Sequence, residues 1–387
     1  MMTQLRVFLR RVSADRRVLL GIAVVVLLVV AAVGDLPTRL GHLVPEDPVA
    51  TTTPAVAPVR TGPTPVPTGL TSTVTRANTR LTACTPGIER LSRCGRAPTL
   101  GPGPWIGSSG VSIGSLEGRV AIVFVFSGSC VECRRESRYL RAWQAAYDDL
   151  AIVGVHAPQF SFETDDTEVE QTVADLSLDF PVLMDDARAT MDRYRAAVRP
   201  TTYLIDRFGT VRAITIGDHG SQRLERQVRK LLTEGGSTSA LPRPVGSLDD
   251  GGDATRGTPP QIKLGSTVGS HYDAEVDGII GREQLYRLAK RPRPGIASIG
   301  GRWRVDPESA VPKARAVGRV TFGARRAYVL VGGRGWLEVS TSEGVSRRIP
   351  VRGRPDFVQV YAAPKADRET LTIRFRGQLE VFSYAFG

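Results

Sequence analysis

Despite an excess of basic residues, with a formal charge of +12, the sequence lacks a helix-turn-helix pattern, zinc-finger spacing and any RNA-binding signature. Its arginines are scattered, so nucleic acid is excluded as a partner, and the charge reads as a solvated surface lying near anionic lipid or wall polymers. Cysteine and histidine are scarce, at four each in 387 residues. The cysteine spacing is irregular and no histidine completes a ligand set, which discounts a zinc site. No metal and no cofactor is implied. Long apolar runs are lacking too, with one exception near the start. Apolar residues at 41% nonetheless suffice for real cores, and the length suggests two to three domains.

That one run is Val18 to Gly34, uncharged and preceded by Arg6, Arg10, Arg11, Arg16 and Arg17. At about 1.5 Å rise per residue it reaches about 25 Å, enough for a thin bilayer. The positive-inside rule keeps the arginines cytoplasmic and everything after residue 35 outside. Residues 1–17 are therefore read as a cytoplasmic basic segment and 18–34 as a single transmembrane anchor. A cleaved export signal, with Ala32 and Gly34 small enough for the cut, is the alternative and would give a secreted form. Residues 35–79 hold a Pro/Thr-rich stretch without apolar periodicity, expected to be a disordered, partly polyproline stalk. A second loop-like stretch, 235–260, separates a domain at 80–234 from one at 261–387.

The middle domain alternates strand and helix. Arg119-Val-Ala-Ile-Val-Phe-Val-Phe126 reads as a continuous apolar run, as expected of a strand covered on both faces. A helix over 131–147 places Tyr139, Leu140, Trp143 and Tyr147 on one stripe. Further strands are expected at 150–155, 180–184, 201–206 and 210–216, with helices marked by Val169, Val173 and Leu176, by Ala187, Met191 and Tyr194, and by Leu224, Val228 and Leu231. The order is β-α-β-α-β-α-β-β-α, an α/β domain ending in an antiparallel hairpin. Beyond Gly300, eight short strands at roughly ten-residue spacing predict an all-β sandwich, jelly-roll-like.

Chemistry concentrates at Cys130-Val-Glu-Cys133, at a strand-to-helix junction. A thiol at a helix N-terminus faces free N–H groups and the positive end of the macrodipole, which favour the thiolate. Cys130 is therefore the candidate nucleophile, and Cys133, one turn along, the candidate resolving thiol. Glu132 opposes thiolate formation, while Arg134 and Arg135 favour it. An inert disulfide is the bland alternative. Pro200 opens a strand where thioredoxin folds place a cis-proline beside the CxxC; lacking an N–H, it leaves the backbone of Arg199 free to pair with an extended substrate. His156 follows a strand at the same end of the domain and is a candidate at the substrate-binding face. Cys84 and Cys94 lie outside the α/β pattern, where a structural disulfide is the default and a redox relay to Cys130 the sharper alternative. A peroxidatic reading of Ser127-x-x-Cys130 is discounted because no proline stands three to four residues before the serine.

Several stretches together resemble the DipZ-type thioredoxin-like proteins: Leu116-Glu-Gly-Arg-Val120, Val153-Gly-Val-His-Ala-Pro-Gln-Phe-Ser-Phe-Glu163, Pro200-Thr-Thr-Tyr-Leu-Ile-Asp206, Thr258-Pro-Pro-Gln-Ile-Lys-Leu-Gly265 and Phe382-Ser-Tyr-Ala-Phe-Gly387. The resemblance implies a thioredoxin-like domain followed by a β-sandwich similar to carbohydrate-binding modules. It also implies disulfide exchange that passes reducing equivalents to exported proteins, with protein thiols and disulfides of the cell envelope, and a separate membrane electron-transfer protein, as partners. The departures are specific. Phe124 stands where thioredoxins often bury a carboxylate, Arg138 replaces the helix proline, Gly128 or Ser129 replaces the aromatic before the motif, and Gln159 replaces an acid. The family's multi-helix membrane domain has no counterpart here beyond one apolar segment. The rival reading is a scaffold that holds envelope polysaccharide through Trp303, Tyr328, Trp336 and Tyr361.

Overall fold

The computed structural model describes residues 75–234, 240–248, 254–255, 258–267, 280–293 and 295–387. The expected anchor at 18–34, the basic segment before it and nearly all of the stalk lie outside these residues. No helix among the described residues is long and apolar enough to cross a membrane.

The first domain is built on β1 (Trp105–Ile106), β2 (Val120–Phe126), β3 (Leu150–His156), β4 (Val182–Met184), β5 (Thr201–Ile205) and β6 (Val211–Ile216), in the order β1-β4-β3-β2-β5-β6. β2, β3 and β4 run parallel, while β5 and β6 are antiparallel to their neighbours. The helices are α1 (Val131–Ala146), α2 (Asp166–Asp175), α3 (Ala189–Tyr194) and α4 (Ser221–Glu234). Strand period two sends alternate β2 side chains to opposite layers. Ile122, Phe124 and Phe126 join Tyr139, Leu140 and Trp143 of α1 and Leu224 and Val228 of α4. Ala121, Val123 and Val125 join Met191 and Tyr194 of α3. Asp165 caps α2 by accepting from the Glu168 N–H at 3.2 Å.

The segment around Cys84 and Cys94 is stitched to β6. The N–H groups of Gly87, Ser92 and Cys94 donate to the carbonyls of Ile214, Arg212 and Val211. Cys84 and Cys94 form a disulfide with Cα atoms 5.4 Å apart. They sit in the α3 layer, whereas Cys130 and Cys133 belong to the α1 layer. The described part of the second loop-like stretch, 240–248, lies on the first domain, where Leu241, Val245 and Leu248 pack against the α1 layer and Glu225 accepts from the Val245 N–H at 2.6 Å.

The C-terminal domain comprises β7 (Gln261–Lys263), β8 (Glu283–Tyr286), β9 (Ala297–Val305), β10 (Ala310–Pro312), β11 (Val317–Ser340) and β12 (Ser346–Phe386). It differs from the expected sandwich: β8 to β12 form one antiparallel, barrel-like sheet, with β7 added along β12. Most of the expected short strands merge. β11 pairs with both halves of β12, so Trp336 lies between Pro350 and Arg376. Glycines within these long strands bend them instead of ending them. Gly333 and Gly377 both have positive φ, and a Cβ on either would fall within 2.5 Å of a carbonyl oxygen across the strand pair.

Candidate active site

The end of β2 delivers the chain into Ser127–Ser129, and α1 begins immediately after. Cys130 is the N-cap: its backbone is extended and its Sγ accepts the Cys133 N–H at 3.1 Å. This sulfur is therefore held at the N-terminus of a sixteen-residue helix, where partial positive charge concentrates. Cys130 and Cys133 are joined as a disulfide, with Cα atoms 5.2 Å apart. Register places the other predicted residues at the same end. Val125 pairs with Thr201, the residue after Pro200, and Phe126 pairs with His156. The Arg199–Pro200 peptide is cis. The Gly217 N–H donates to the Pro200 carbonyl at 3.0 Å, and Gly217 in turn adjoins the Glu132 carboxylate.

Glu163, which closes the HAPQFSFE stretch, organises the loop before the disulfide. Its carboxylate accepts from Ser127 Oγ, Ser129 N and Oγ, Gln159 N and Phe160 N at 2.7–3.2 Å, and His156 Nε2 lies 3.6 Å away. Burial alone would raise its pKa; the neighbouring His156 imidazole, then the Ser129 and Gln159 hydrogen bonds, hold it at about 2. His156 itself is buried, so the structure places it beneath the loop, paired with Glu163 and edge-on to Phe126.

Phe124 does stack within the core, on Phe126. Carboxylates stand elsewhere. Glu136, one turn after Cys133, is fully buried and accepts from Ser221 Oγ at 2.6 Å. Glu132, between the cysteines, has its carboxyl pushed up to about 7 by burial and by the Asp218 carboxylate, against the pull of Arg135. Arg135 is buried in an ion pair with Asp218. Glu132, Asp218 and His219 bring ligand atoms within 4.8 Å of one another, but the Arg135 guanidinium already supplies a cation there.

The C-terminal domain contributes to this face. Gln261 of β7 donates to the Ser129 carbonyl at 3.1 Å and to Ser383 Oγ at 2.7 Å. Phe382 packs edge-on against Phe160 and Phe162. Lys263 lies 5.8 Å from the Phe160 ring, and burial and Arg199 hold its amine down at about 8, against Glu163 and Glu308. Arg199, held at about 10 by burial and Arg188, donates to the Pro158 carbonyl. Arg134 bonds Asp356, Ser161 bonds Glu308, and Arg354 bonds Glu168 and Asp175. Under this cover Cys130 is 4% exposed and Cys133 fully buried. Of the predicted sugar-stacking aromatics, Trp303 is fully inside the β core and Tyr361 packs against it. Tyr328 meets Phe357 edge-on, and Trp336 is partly exposed beneath Arg348.

Sequence reasoning placed the cysteines, Pro200 and His156 together. It missed Glu163, Gln261 and Lys263, although all three lie inside stretches already singled out by resemblance.

Residues 107–214 match the AhpC/TSA family, and residues 260–387 match the thioredoxin-like C-terminal domain family. Protein DipZ of Mycobacterium bovis and of Mycobacterium tuberculosis are each 30% identical over 98% of this chain and 54% of their own length. The chain thus spans about half the length of those curated relatives. The thiol-disulfide oxidoreductase YkuV of Bacillus subtilis is 26% identical over 29% of this chain and 77% of its own. A solved thiol-disulfide isomerase from Corynebacterium glutamicum is 23% identical, with a TM-score of 0.32, covering 35% of this chain and 97% of that one. With a CxxC disulfide at the head of α1, a proline loop beside it and both domain matches in sequence, the chain is similar to the DipZ proteins over nearly its whole length.

Proposed function

We propose that the protein is a thiol–disulfide oxidoreductase, tethered to the membrane by residues 18–34, that passes reducing equivalents to exported proteins. The carrying observation is the Cys130–Cys133 disulfide at the N-terminus of α1, with Cys130 Sγ hydrogen-bonded to the Cys133 N–H. In the dithiol form the same N–H stabilises a Cys130 thiolate. That thiolate attacks one sulfur of a substrate disulfide and releases the other as a thiolate, which takes up a proton. Cys133, deprotonated, then attacks Cys130 Sγ and expels the second substrate thiol. The substrate gains two electrons, and the protein is left with the disulfide described above. An extended substrate segment would pair with the backbone of Arg199, next to a proline that offers no competing N–H. The outward placement rests on the arginine cluster before the apolar run, and the proposed partners are protein thiols and disulfides of the envelope, with a separate membrane protein supplying electrons.

The test is disulfide reduction of a protein substrate such as insulin, with Cys130→Ser and Cys133→Ser beside the wild type. Cys130→Ser abolishes turnover, and Cys133→Ser accumulates mixed disulfides through Cys130. Full turnover in either variant refutes the assignment of roles. A scaffold reading draws on Trp336, whose one face is stacked by Arg348 at 4.0 Å; retention on envelope polysaccharide that is lost in Trp336→Ala, with function surviving Cys130→Ser, would favour it.

A further inference from the structure

Arg134, Arg138 and Arg141 recur at intervals of four and three along α1, which aligns them on one face of a helix. This is not the face packed on the sheet: Arg138 and Arg141 are exposed, whereas Tyr139, Leu140 and Trp143 are buried. The arginine face forms one wall of a cleft of about 340 Å3, and the C-terminal domain supplies the other. Five arginines line the cleft, Arg134, Arg135, Arg138, Arg141 and Arg326, with one aspartate, Asp175; two of the five, Arg134 and Arg135, are ion-paired with Asp356 and Asp218. Asp175 is itself already bonded to Arg354. Val131, the residue after Cys130, belongs to the same lining, so the cleft begins one residue along the chain from the disulfide.

Two features make this more than a solvated basic surface. First, some of its cations are pre-positioned. Arg134 is fixed by the Gly128 carbonyl and Asp356, each at 2.7 Å, and Arg135 by Asp218 and the Phe386 carbonyl. Second, the far wall is partly apolar: Phe357 lies under the Arg134 guanidinium at 4.9 Å and meets Tyr328 edge-on. A volume of this size suits a few residues of extended chain. The exposed guanidinium forks of Arg138 and Arg141 on one side, with aromatic rings across the cleft, suit carboxylate side chains spaced along a polypeptide.

We infer that this cleft is a receptor for an acidic peptide segment, and that it selects disulfide substrates whose reactive cysteine is flanked by Asp or Glu. Its use as a substrate subsite rests on the thiol–disulfide exchange proposed above; its affinity for acidic peptide does not. With such a segment seated along α1, a neighbouring disulfide is brought to Cys130 by chain continuity. The β domain then takes part in substrate choice, because it builds half of the receptor.

The experiment measures binding of a cysteine-free, glutamate-rich peptide to the intact protein in its disulfide form. A lysine-rich peptide of equal length and inorganic polyphosphate serve as comparison probes, and R138E/R141E is measured beside the wild type. The two changed side chains are solvent-exposed, so folding is checked by circular dichroism, with R138Q/R141Q as the milder variant. The expected result is saturable binding of the acidic peptide that weakens about tenfold in R138E/R141E, an intermediate loss in R138Q/R141Q, and steady weakening as salt is raised. Equal affinity for the lysine-rich peptide, indifference to both variants, or binding of polyphosphate alone would overturn the inference. Oxidation and reduction of the Cys130–Cys133 pair by a small dithiol is followed in parallel. Exchange without acidic-peptide binding removes the receptor and leaves the enzyme; peptide binding without exchange removes the enzyme and leaves the receptor.

Discussion

Glu132 shows how one side chain can carry a reaction's pH dependence. The sequence sets its negative charge against those of Arg134 and Arg135, with no means of ranking them. In the structure both arginines are committed, one to Asp356 and the other to Asp218. Glu132 ionises only near 7 because burial and Asp218 oppose its charge. Below that pH it is neutral and leaves the Cys130 thiolate undisturbed; above it, a carboxylate appears between the cysteines and disfavours a second negative charge. The rate of alkylation of reduced Cys130 should therefore rise less steeply above neutrality than simple thiol ionisation requires, and Glu132→Gln should restore the simple curve. Stability follows the same linkage. A carboxyl whose folded pKa lies above its usual value of 4.5 favours the folded state at low pH and loses that contribution as pH climbs toward 7. Denaturant unfolding of the wild type should weaken over that interval, and Glu132→Gln should flatten the loss. An unchanged profile in the variant would show that Glu132 is solvated instead.

At the scale of elements, α1 and its cap were legible in advance. An apolar β run, a CxxC and a helical stripe at Tyr139, Leu140 and Trp143 all agree locally, and the helix spans Val131–Ala146. The edge around Cys84 was not legible, since its backbone bonds go to β6, more than a hundred residues away. The Cys84–Cys94 disulfide closes a short loop against that edge, in the layer opposite Cys130 and Cys133. Cys84→Ser/Cys94→Ser should therefore cost about 2–3 kcal/mol of stability, read from chemical denaturation, while the folded fraction keeps its reactivity at Cys130. A loss of disulfide exchange in protein that remains folded would revive the relay between the two pairs. In the β domain the sequence pattern misled for a physical reason. Glycine permits both a turn and a bend, and only the facing strand, at Gln378 or Arg334, decides which is present.

Across the whole molecule, the β domain lies over the face that carries the Cys130–Cys133 disulfide. Gln261 on Ser129, Arg354 on Glu168 and Asp175, and Phe382 on the Phe160–Phe162 pair hold it there. Partly exposed ion pairs and single hydrogen bonds each contribute about 1 kcal/mol or less. Gln261→Ala/Arg354→Ala should thus loosen the cover without unfolding either core. Reduction of Cys130–Cys133 by a protein dithiol should speed up by about tenfold, with little change toward a small dithiol that needs less room. An equal or slower rate with the protein reductant would mean that the contact guides substrates and does not shield the disulfide. The sequence by itself determined the domain order, the α/β alternation and the placing of a CxxC at a helix start, because each depends on neighbours a few residues apart. Tertiary structure alone decided that Glu163 clamps the Ser127–Ser129 loop, that two domains share one arginine-lined cleft, and that the sulfurs lie covered. Those outcomes depend on pairs such as Ser129 with Gln261 and Arg134 with Asp356, brought together only when separate cores close on one another.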